Sequence, residues 1–389
     1  MMKWVFFLLL LMAFGHPSLM AQTHGLESNS FRWHGYVKGM PSVTYTSATS
    51  EFYFDQLLHN RMNFRWQPSP KFNMVFETRT RLFSGATPEN NALFVGMMDK
   101  DAGFLDLTKS WKVGKYGALQ LMSDRFYAEW THNDWQIRLG RQRINWGINL
   151  VSNPNDLFNT YSYFDIDYEE RPGADALRVQ RYFGGMSHIE VAMMPASHVR
   201  HAVAALLYGF NANGYDIQVL AGYFRNRLAL GGGWAGHIGG AGFKGEMTWF
   251  TDFQPVESLQ ASNAVAAISV DYLFSNGLYL AGELLYNGGN DRKPASFISL
   301  SEPFSADNLS IGKYALTASL MYPFSPIFSA NFASMYIPDQ HLVYVMPGIS
   351  WSMATNWDLG LVSQVFVVGN KSALGSSAYA AYLSLKWSF

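Results

Sequence analysis

The residues Tyr382-Leu383-Ser384-Leu385-Lys386-Trp387-Ser388-Phe389 alternate between two kinds of side chain. Leucine and aromatic residues occupy one parity from Leu383 to Phe389, and polar or charged residues occupy the other. Successive residues of a β-strand point to opposite faces, so one face suits lipid and the other suits water. A closed β-barrel lets strands face lipid with every backbone hydrogen bond satisfied. The stretch therefore predicts an all-β fold, a transmembrane antiparallel up-and-down β-barrel.

The composition agrees with a barrel. Aromatic residues make up 16% of the 389 residues and charged residues 15%, against about 25% charged residues in ordinary soluble domains. Apart from the start of the chain, no apolar run reaches the ~18 residues that a membrane-spanning helix needs. A soluble β-sandwich also alternates at period two, but its outward face is polar. The formal net charge of −1 gives no indication of a nucleic-acid partner, and cysteine is absent.

The first residues resemble a secretory signal peptide. Lys3 gives a positive start, Trp4 to Phe14 form an apolar run, and Ser18-Leu19-Met20-Ala21 suits cleavage. We expect residues 1–21 to be the signal peptide and residues 22–389 to form a single barrel domain. A retained membrane anchor is the competing interpretation. Export of such a barrel predicts the outer membrane of a Gram-negative bacterium, with outer-membrane lipid as its surroundings.

Short and long connections take turns along the chain. Eight tight connections contain Gly, Asn or Pro, which favour turns because Gly and Asn accept positive φ and Pro fixes φ. They lie at 67–70, 132–134, 184–185, 211–214, 239–240, 275–277, 323–326 and 355–356. Longer polar stretches lie at 85–117, 146–175, 251–262 and 289–310. This pattern predicts about 18 strands, with 16 to 20 possible, short periplasmic turns and long extracellular loops.

If apolar positions face lipid, their neighbours face the lumen. The N-terminal strands then carry a ladder of inward basic residues with few carboxylates: Arg61, Arg65, Arg79, Arg81, Arg125 and Arg138. Inward positions of the C-terminal half are small and mixed in sign, and they include Lys244, Glu246 and Glu283. A basic wall facing a polar one concentrates anions, which predicts a pore for polar or anionic solutes. The competing interpretation is that these arginines pair with acidic loop residues and fill the barrel.

One stretch carries a local signature. It contains Gly140-Arg141-Gln142, Trp146-Gly147, Asn153-Pro154 with Asp156, and Arg171-Pro172-Gly173-Ala174-Asp175-Ala176. The pattern resembles the alginate-export and phosphate-selective porin-like barrels of Gram-negative bacteria. The resemblance implies a barrel channel and no cofactor, and it does not extend to the substrate.

The loop within this signature is acidic. Its carboxylates are Asp156, Asp165, Asp167, Glu169 and Glu170. We expect the loop to fold inward, narrow the pore and set these carboxylates against the arginine ladder. Two other interpretations stay open. The alternating acids of 165–169 could ligate Ca²⁺, or the loop could be a solvated surface segment.

The predicted function is passive, porin-like diffusion of small polar or anionic solutes. The alternative is a barrel for polysaccharide export or surface attachment, in which loop aromatics stack on sugars: Phe94, Phe104, Trp111 and Phe304. No Gly-x-Ser-x-Gly motif and no metal-ligand spacing among the ten histidines suggests an enzyme or a metal site. Trp387 and Phe389 resemble the signal that such barrels present to the barrel-assembly machinery. The pattern does not indicate an oligomeric state.

Overall fold

The computed structural model describes residues 30–101, 103–159, 163–164, 173–254, 261–290, 304–369, 372 and 375–389. The expected signal peptide lies outside these residues. The strands are β1 (Ser30–Thr46), β2 (Glu51–Ser69), β3 (Phe72–Gly85), β4 (Thr108–Val113), β5 (Gly117–His132), β6 (Trp135–Gln142), β7 (Ala174–Phe183), β8 (Ser187–Met194), β9 (Val203–Ala212), β10 (Tyr215–Phe224), β11 (Arg227–Ile238), β12 (Ala241–Asp252), β13 (Ser262–Leu273), β14 (Tyr279–Asn287), β15 (Tyr314–Ser325), β16 (Phe328–Ile337), β17 (Leu342–Ala354), β18 (Trp357–Val368) and β19 (Ala378–Ser388). Short helices are α1 (Ala86–Asn90) and α2 (Phe94–Met98), with 3₁₀ turns η1 (Val199–His201) and η2 (Pro338–Gln340).

The strands close into one antiparallel barrel. With one exception, each strand pairs with the next along the chain, and β1 pairs with β19 to close the ring. The exception is β4, which pairs only with β5, while β3 pairs directly with β5. Because β4 lies beside the end of β5 that β6 does not reach, it fills a gap in the wall. The barrel ring therefore has 18 strands, as predicted.

The eight predicted tight turns all lie at one end of the barrel, which we call the short-turn end. Asn133, Asn213 and Asn356 have positive φ there, as Asn tolerates in two-residue hairpin turns. The opposite, long-loop end carries the longer connections. It also contains short turns, among them Arg225-Asn226, where both residues have positive φ. No helix among the residues described here is long and apolar enough to cross a membrane.

The alternation of the N-terminal strands holds in the structure. Trp33, Phe76, Phe126 and Leu139 are exposed on the outer face, as the parity predicts. Such a continuous apolar outer surface on a closed barrel suits hydrocarbon.

The expectation that apolar residues face only outward is wrong for strands β9 to β17. Leu206 is exposed, whereas its neighbour Leu207 is 2% exposed and points inward. Leu284 and Leu285 on β14 repeat this arrangement, and Tyr344 on β17 is fully buried. The inward apolar residues pack against loops that fold into the barrel, and together they form a single buried cluster. The lumen on this side is therefore largely filled near the long-loop end.

Candidate functional site

The centre of the basic wall is a buried ion-pair cluster. Asp124 of β5 accepts hydrogen bonds from Arg61 of β2 at 2.6 Å and from Arg79 of β3 at 2.7 Å. All three side chains are almost fully buried, and Glu77 of β3 is a second partner of Arg61. Each of these residues lies near the middle of its strand. The carboxylates offset much of the positive charge of the two arginines. The ion pairs link β2, β3 and β5 and so brace the wall at mid-height.

Asp124 owes its position to a β-bulge. Glu77 pairs with Arg125, but the next residue, Thr78, pairs with Ser123, so Asp124 is the extra residue. A bulge sets two successive residues against one partner and re-aims a side chain. Both Asp124 and Arg125 are buried, and the Arg125 guanidinium donates to the Asp124 carbonyl at 2.8 Å. Strict alternation assigns Asp124 to the outer face, so the sequence pattern missed it.

Two further arginines of the predicted ladder contact neighbouring wall residues. The Arg81 Nε donates to the amide oxygen of Gln120 at 2.9 Å. The Arg138 Nε donates to Glu129 at 2.9 Å, and its guanidinium lies 4.6 Å from the centre of the Tyr127 ring. Both side chains remain partly accessible. They therefore contribute to a polar wall in which charge is partly compensated.

Arg65 differs from the rest of the ladder. It is exposed to the lumen near the short-turn end, and its Nε donates to Asn73 at 3.1 Å. Arg32 of β1, also exposed, pairs directly opposite Arg65. Among the described residues, no carboxylate contacts Arg32 or Arg65. Like charges directly opposite each other on paired strands are destabilising. The two guanidiniums also add positive potential to this part of the lumen.

The connection after β6 folds into the barrel as a compact loop. Its two ends meet where the Ile144 backbone N–H donates to the side chain of Asn159 at 2.6 Å. The rings of Trp146 and Phe158 close this neck further, with centroids 5.0 Å apart. Such a loop, with ends close together and its own side chains packed inside, is an Ω-loop. We call residues 144–159 the Ω-loop.

Glu246 of β12 holds the tip of the Ω-loop. Its carboxylate accepts hydrogen bonds from the backbone N–H groups of Ile148, Asn149 (2.6 Å) and Asn155 (3.0 Å). Thr248, two residues along the same strand, donates to the Asn155 side chain at 2.7 Å. Glu246 is 1% exposed.

Glu283 of β14 holds the adjoining part of the tip. It accepts the backbone N–H groups of Val151 and Ser152, both at 2.8 Å, and the side-chain amide of Asn149 at 3.1 Å. Ser269 of the intervening strand donates to the other side of the Asn149 amide. The Ω-loop is thus attached to three neighbouring strands of the wall.

The neck of the Ω-loop is attached on the other side. Glu190 of β8 accepts the Trp146 indole N–H at 2.6 Å and is ion-paired with Arg178 at 2.7 Å. Gln180 also donates to Glu190, and Gln218 of β10 donates to the Trp146 carbonyl at 2.6 Å. The Ω-loop therefore lies along the inner wall from β8 to β14.

A second segment, residues 304–312, folds inward beside the Ω-loop. Asn287 at the end of β14 donates to the carbonyls of Ser310 and Gly312, at 2.7 and 3.0 Å. Arg227 of β11 pairs with Asp307 at 2.8 Å. Phe304 is buried and packs against Phe164. The two inward segments fill the C-terminal side of the lumen.

The predicted acidic residues are only partly described. Asp156 lies within the Ω-loop and is 2% exposed. Asp165, Asp167, Glu169 and Glu170 lie outside the described residues, so their expected contact with the arginine ladder stays a prediction. In the Ω-loop itself, N–H groups of the loop donate hydrogen bonds to carboxylates of the wall. Apart from their inward parity, nothing in the sequence pattern indicates this role for Glu246 and Glu283.

Trp387 and Phe389 lie where the barrel closes. The Phe389 backbone N–H and C=O both bond to Gly35 of β1, at 2.9 and 3.0 Å. Its ring packs between those of Trp33 and Trp387, with centroids 5.7 and 5.1 Å away. These contacts fix the last residues in the barrel; their predicted role in assembly is a separate matter that stays a prediction.

The part of the chain that the structure describes contains no cluster of three or more His, Cys, Asp or Glu residues suited to a metal ion. Guanidiniums and polar groups line the N-terminal wall, and the Ω-loop is packed against the opposite side.

Comparisons with known proteins agree with this architecture. No protein-family model and no curated protein matches the chain. Among solved structures, OccAB4 of Acinetobacter baumannii has a TM-score of 0.58 at 8% identity, over 93% of this chain and 99% of that one. OpdQ of Pseudomonas aeruginosa has a TM-score of 0.57 at 7% identity, over 92% and 99%. The outer membrane protein OpdK of the same species has a TM-score of 0.56 at 6% identity, over 92% and 98%. This chain has the same closed barrel fold as these proteins.

Proposed function

We propose that the protein is an outer-membrane, porin-like channel for passive diffusion of small polar or anionic solutes. The barrel has an apolar outer face suited to lipid and a polar N-terminal inner wall. The Ω-loop is packed against the opposite side and narrows the lumen in front of that polar wall. This arrangement needs no cofactor. The proteins that share the fold include one named as an outer membrane protein. A channel, rather than an enzyme, is the role that this arrangement supports.

The observation that carries the proposal is the exposed pair Arg32 and Arg65. Arg61 and Arg79 share Asp124, so their charge is largely compensated inside the wall. Arg32 and Arg65 point into the lumen without a carboxylate partner in the described residues. Unpaired cations on a polar channel wall raise the local concentration of anions. The preference for anions therefore rests more on Arg65 than on the buried members of the ladder.

The polysaccharide alternative receives less support from the loop aromatics. Phe304 is buried among inward-facing residues, and Phe94 packs on Phe83 with centroids 5.4 Å apart. Phe104 and Trp111 remain exposed. Two of the four predicted rings are therefore packed against the protein rather than free to stack on a sugar chain.

The test compares two substitutions that each remove one positive charge. Arg65→Ser removes a cation from the lumen. Arg181→Ser removes one from the outer rim of the barrel, where Arg181 lies over the exposed rings of Trp135 and Phe183. We expect Arg65→Ser to shift the reversal potential in a salt gradient toward cations, and Arg181→Ser to leave it unchanged. Equal shifts, or no shift with Arg65→Ser, would contradict this assignment.

A further inference from the structure

Glu246 and Glu283 stand out among the inward carboxylates. Both are buried, at 1% and 6% exposure, and no Lys or Arg of the described chain contacts either one. Their partners come from the tip of the Ω-loop, with Asn149 bonded to both. A buried carboxylate needs compensation by donors, because an isolated charge is costly to remove from water. Here the loop backbone supplies that compensation.

We propose that Glu246 and Glu283 are positioning residues that fix the Ω-loop as a stationary side of the channel constriction. The inference deepens the proposed channel function and rests on it. The Ω-loop contains no helix or strand of its own. Its tip therefore depends on the wall for partners to its backbone N–H groups, and an unsatisfied buried N–H group is costly.

The contacts use both oxygens of the Glu246 carboxyl group as acceptors. One Glu246 oxygen accepts from both Ile148 and Asn149, and the other accepts from Asn155. In Glu246→Gln one oxygen is replaced by an amide N–H₂, which cannot accept a hydrogen bond. The new group would face one or two backbone donors. The substitution preserves shape and removes the docking of the loop tip.

Loop position can be measured without any assay of conduction. The chain has no cysteine, so Leu157→Cys places a single thiol inside the Ω-loop, at a residue that is 2% exposed. A buried thiol reacts slowly with maleimide, and exposure of the thiol raises the rate. We expect Glu246→Gln to raise the labelling rate at least about tenfold, the effect of losing one strong hydrogen bond from the docking equilibrium. Glu283→Gln should do the same and serves as the second variant if the first fails to fold.

Asp271→Asn is the matched control. Asp271 lies on β13, is ion-paired with Lys244 at 3.4 Å, and has no contact with the Ω-loop among those described. The substitution Asp271→Asn removes one negative charge from the same side of the lumen, as Glu246→Gln does. We expect its labelling rate to equal that of the parent Leu157→Cys protein. Unchanged labelling in both folded Glu→Gln variants, or equal acceleration by Asp271→Asn, would overturn the inference.

Conductance then links loop position to the pore. Glu246→Gln should raise single-channel conductance and add current noise. A disulfide between cysteines introduced at positions 155 and 248, whose native side chains are 2.7 Å apart, should restore the parent conductance when oxidised. Absence of that restoration would show that loop position does not set the constriction. Absence of conductance in every variant, with labelling as expected, would reject the proposed channel and leave the anchoring intact.

Discussion

The buried cluster around Asp124 gives a quantitative prediction for the stability of the barrel. Asp124→Asn keeps the shape of the side chain and removes the negative charge that Arg61 and Arg79 share. Removing one partner of a buried ion pair costs about 3–5 kcal/mol. Arg61 keeps Glu77 as a partner, so we expect a loss at the lower end, about 3 kcal/mol in the free energy of unfolding.

The assay is equilibrium unfolding in urea of the protein folded in phospholipid bilayers, followed by tryptophan fluorescence. A lower midpoint with an unchanged slope reports a loss of stability. Glu129→Gln is the control, because its ion pair with Arg138 is more accessible and should matter by less than about 1 kcal/mol. Adding Arg79→Met to Asp124→Asn should recover part of the loss, since it removes a buried charge. A loss below about 1 kcal/mol for Asp124→Asn would refute the bracing role of the cluster.

Three other outcomes follow from the described contacts. Deletion of Phe389 should leave unassembled protein in the periplasm, measured by the heat-shifted mobility of folded barrel on gels; normal assembly would contradict the signal. Gly35→Val should slow assembly in vitro as well, because a Cβ there would overlap the Arg61 carbonyl oxygen and lie 3.0 Å from the Phe389 ring; folding at the parent rate would contradict this. For Asp101, in the loop before β4, burial raises the pKa. The Arg141 side chain and the backbone N–H groups of Gly103 and Leu107 together outweigh burial and hold the pKa of Asp101 below its usual range. A depressed pKa contributes stability above the unfolded value and loses it as pH falls through the folded value, so this loop should resist pepsin at pH ~4 and become cleavable only at lower pH; cleavage already at pH 5 would argue against it.

The outer face and the turns of the barrel were predictable because they depend on local rules. Period-two alternation assigned Phe126 and Leu139 to the outside, and turn residues such as Asn133 and Asn356 marked the short-turn end. Lipid requires an apolar face, and tight hairpins require positive φ, so both features leave a strong mark on the sequence. The strand count followed from these turns.

The interior was less predictable because it depends on contacts between distant segments. A bulge moves Asp124 inward, and alternation carries no sign of the extra residue. Leu207 and Tyr344 are apolar on the inner face because loops cover them, which a strand pattern cannot show. Glu246 was assigned to the lumen, but its partners are backbone groups about 100 residues away whose position no local rule predicts.

The most direct test of the proposed channel is conduction by the folded protein in a planar bilayer under a salt gradient. We expect stepwise conductance and a reversal potential that favours anions. A protein shown to be folded that gives no conductance, or that conducts with a preference for cations, would contradict it.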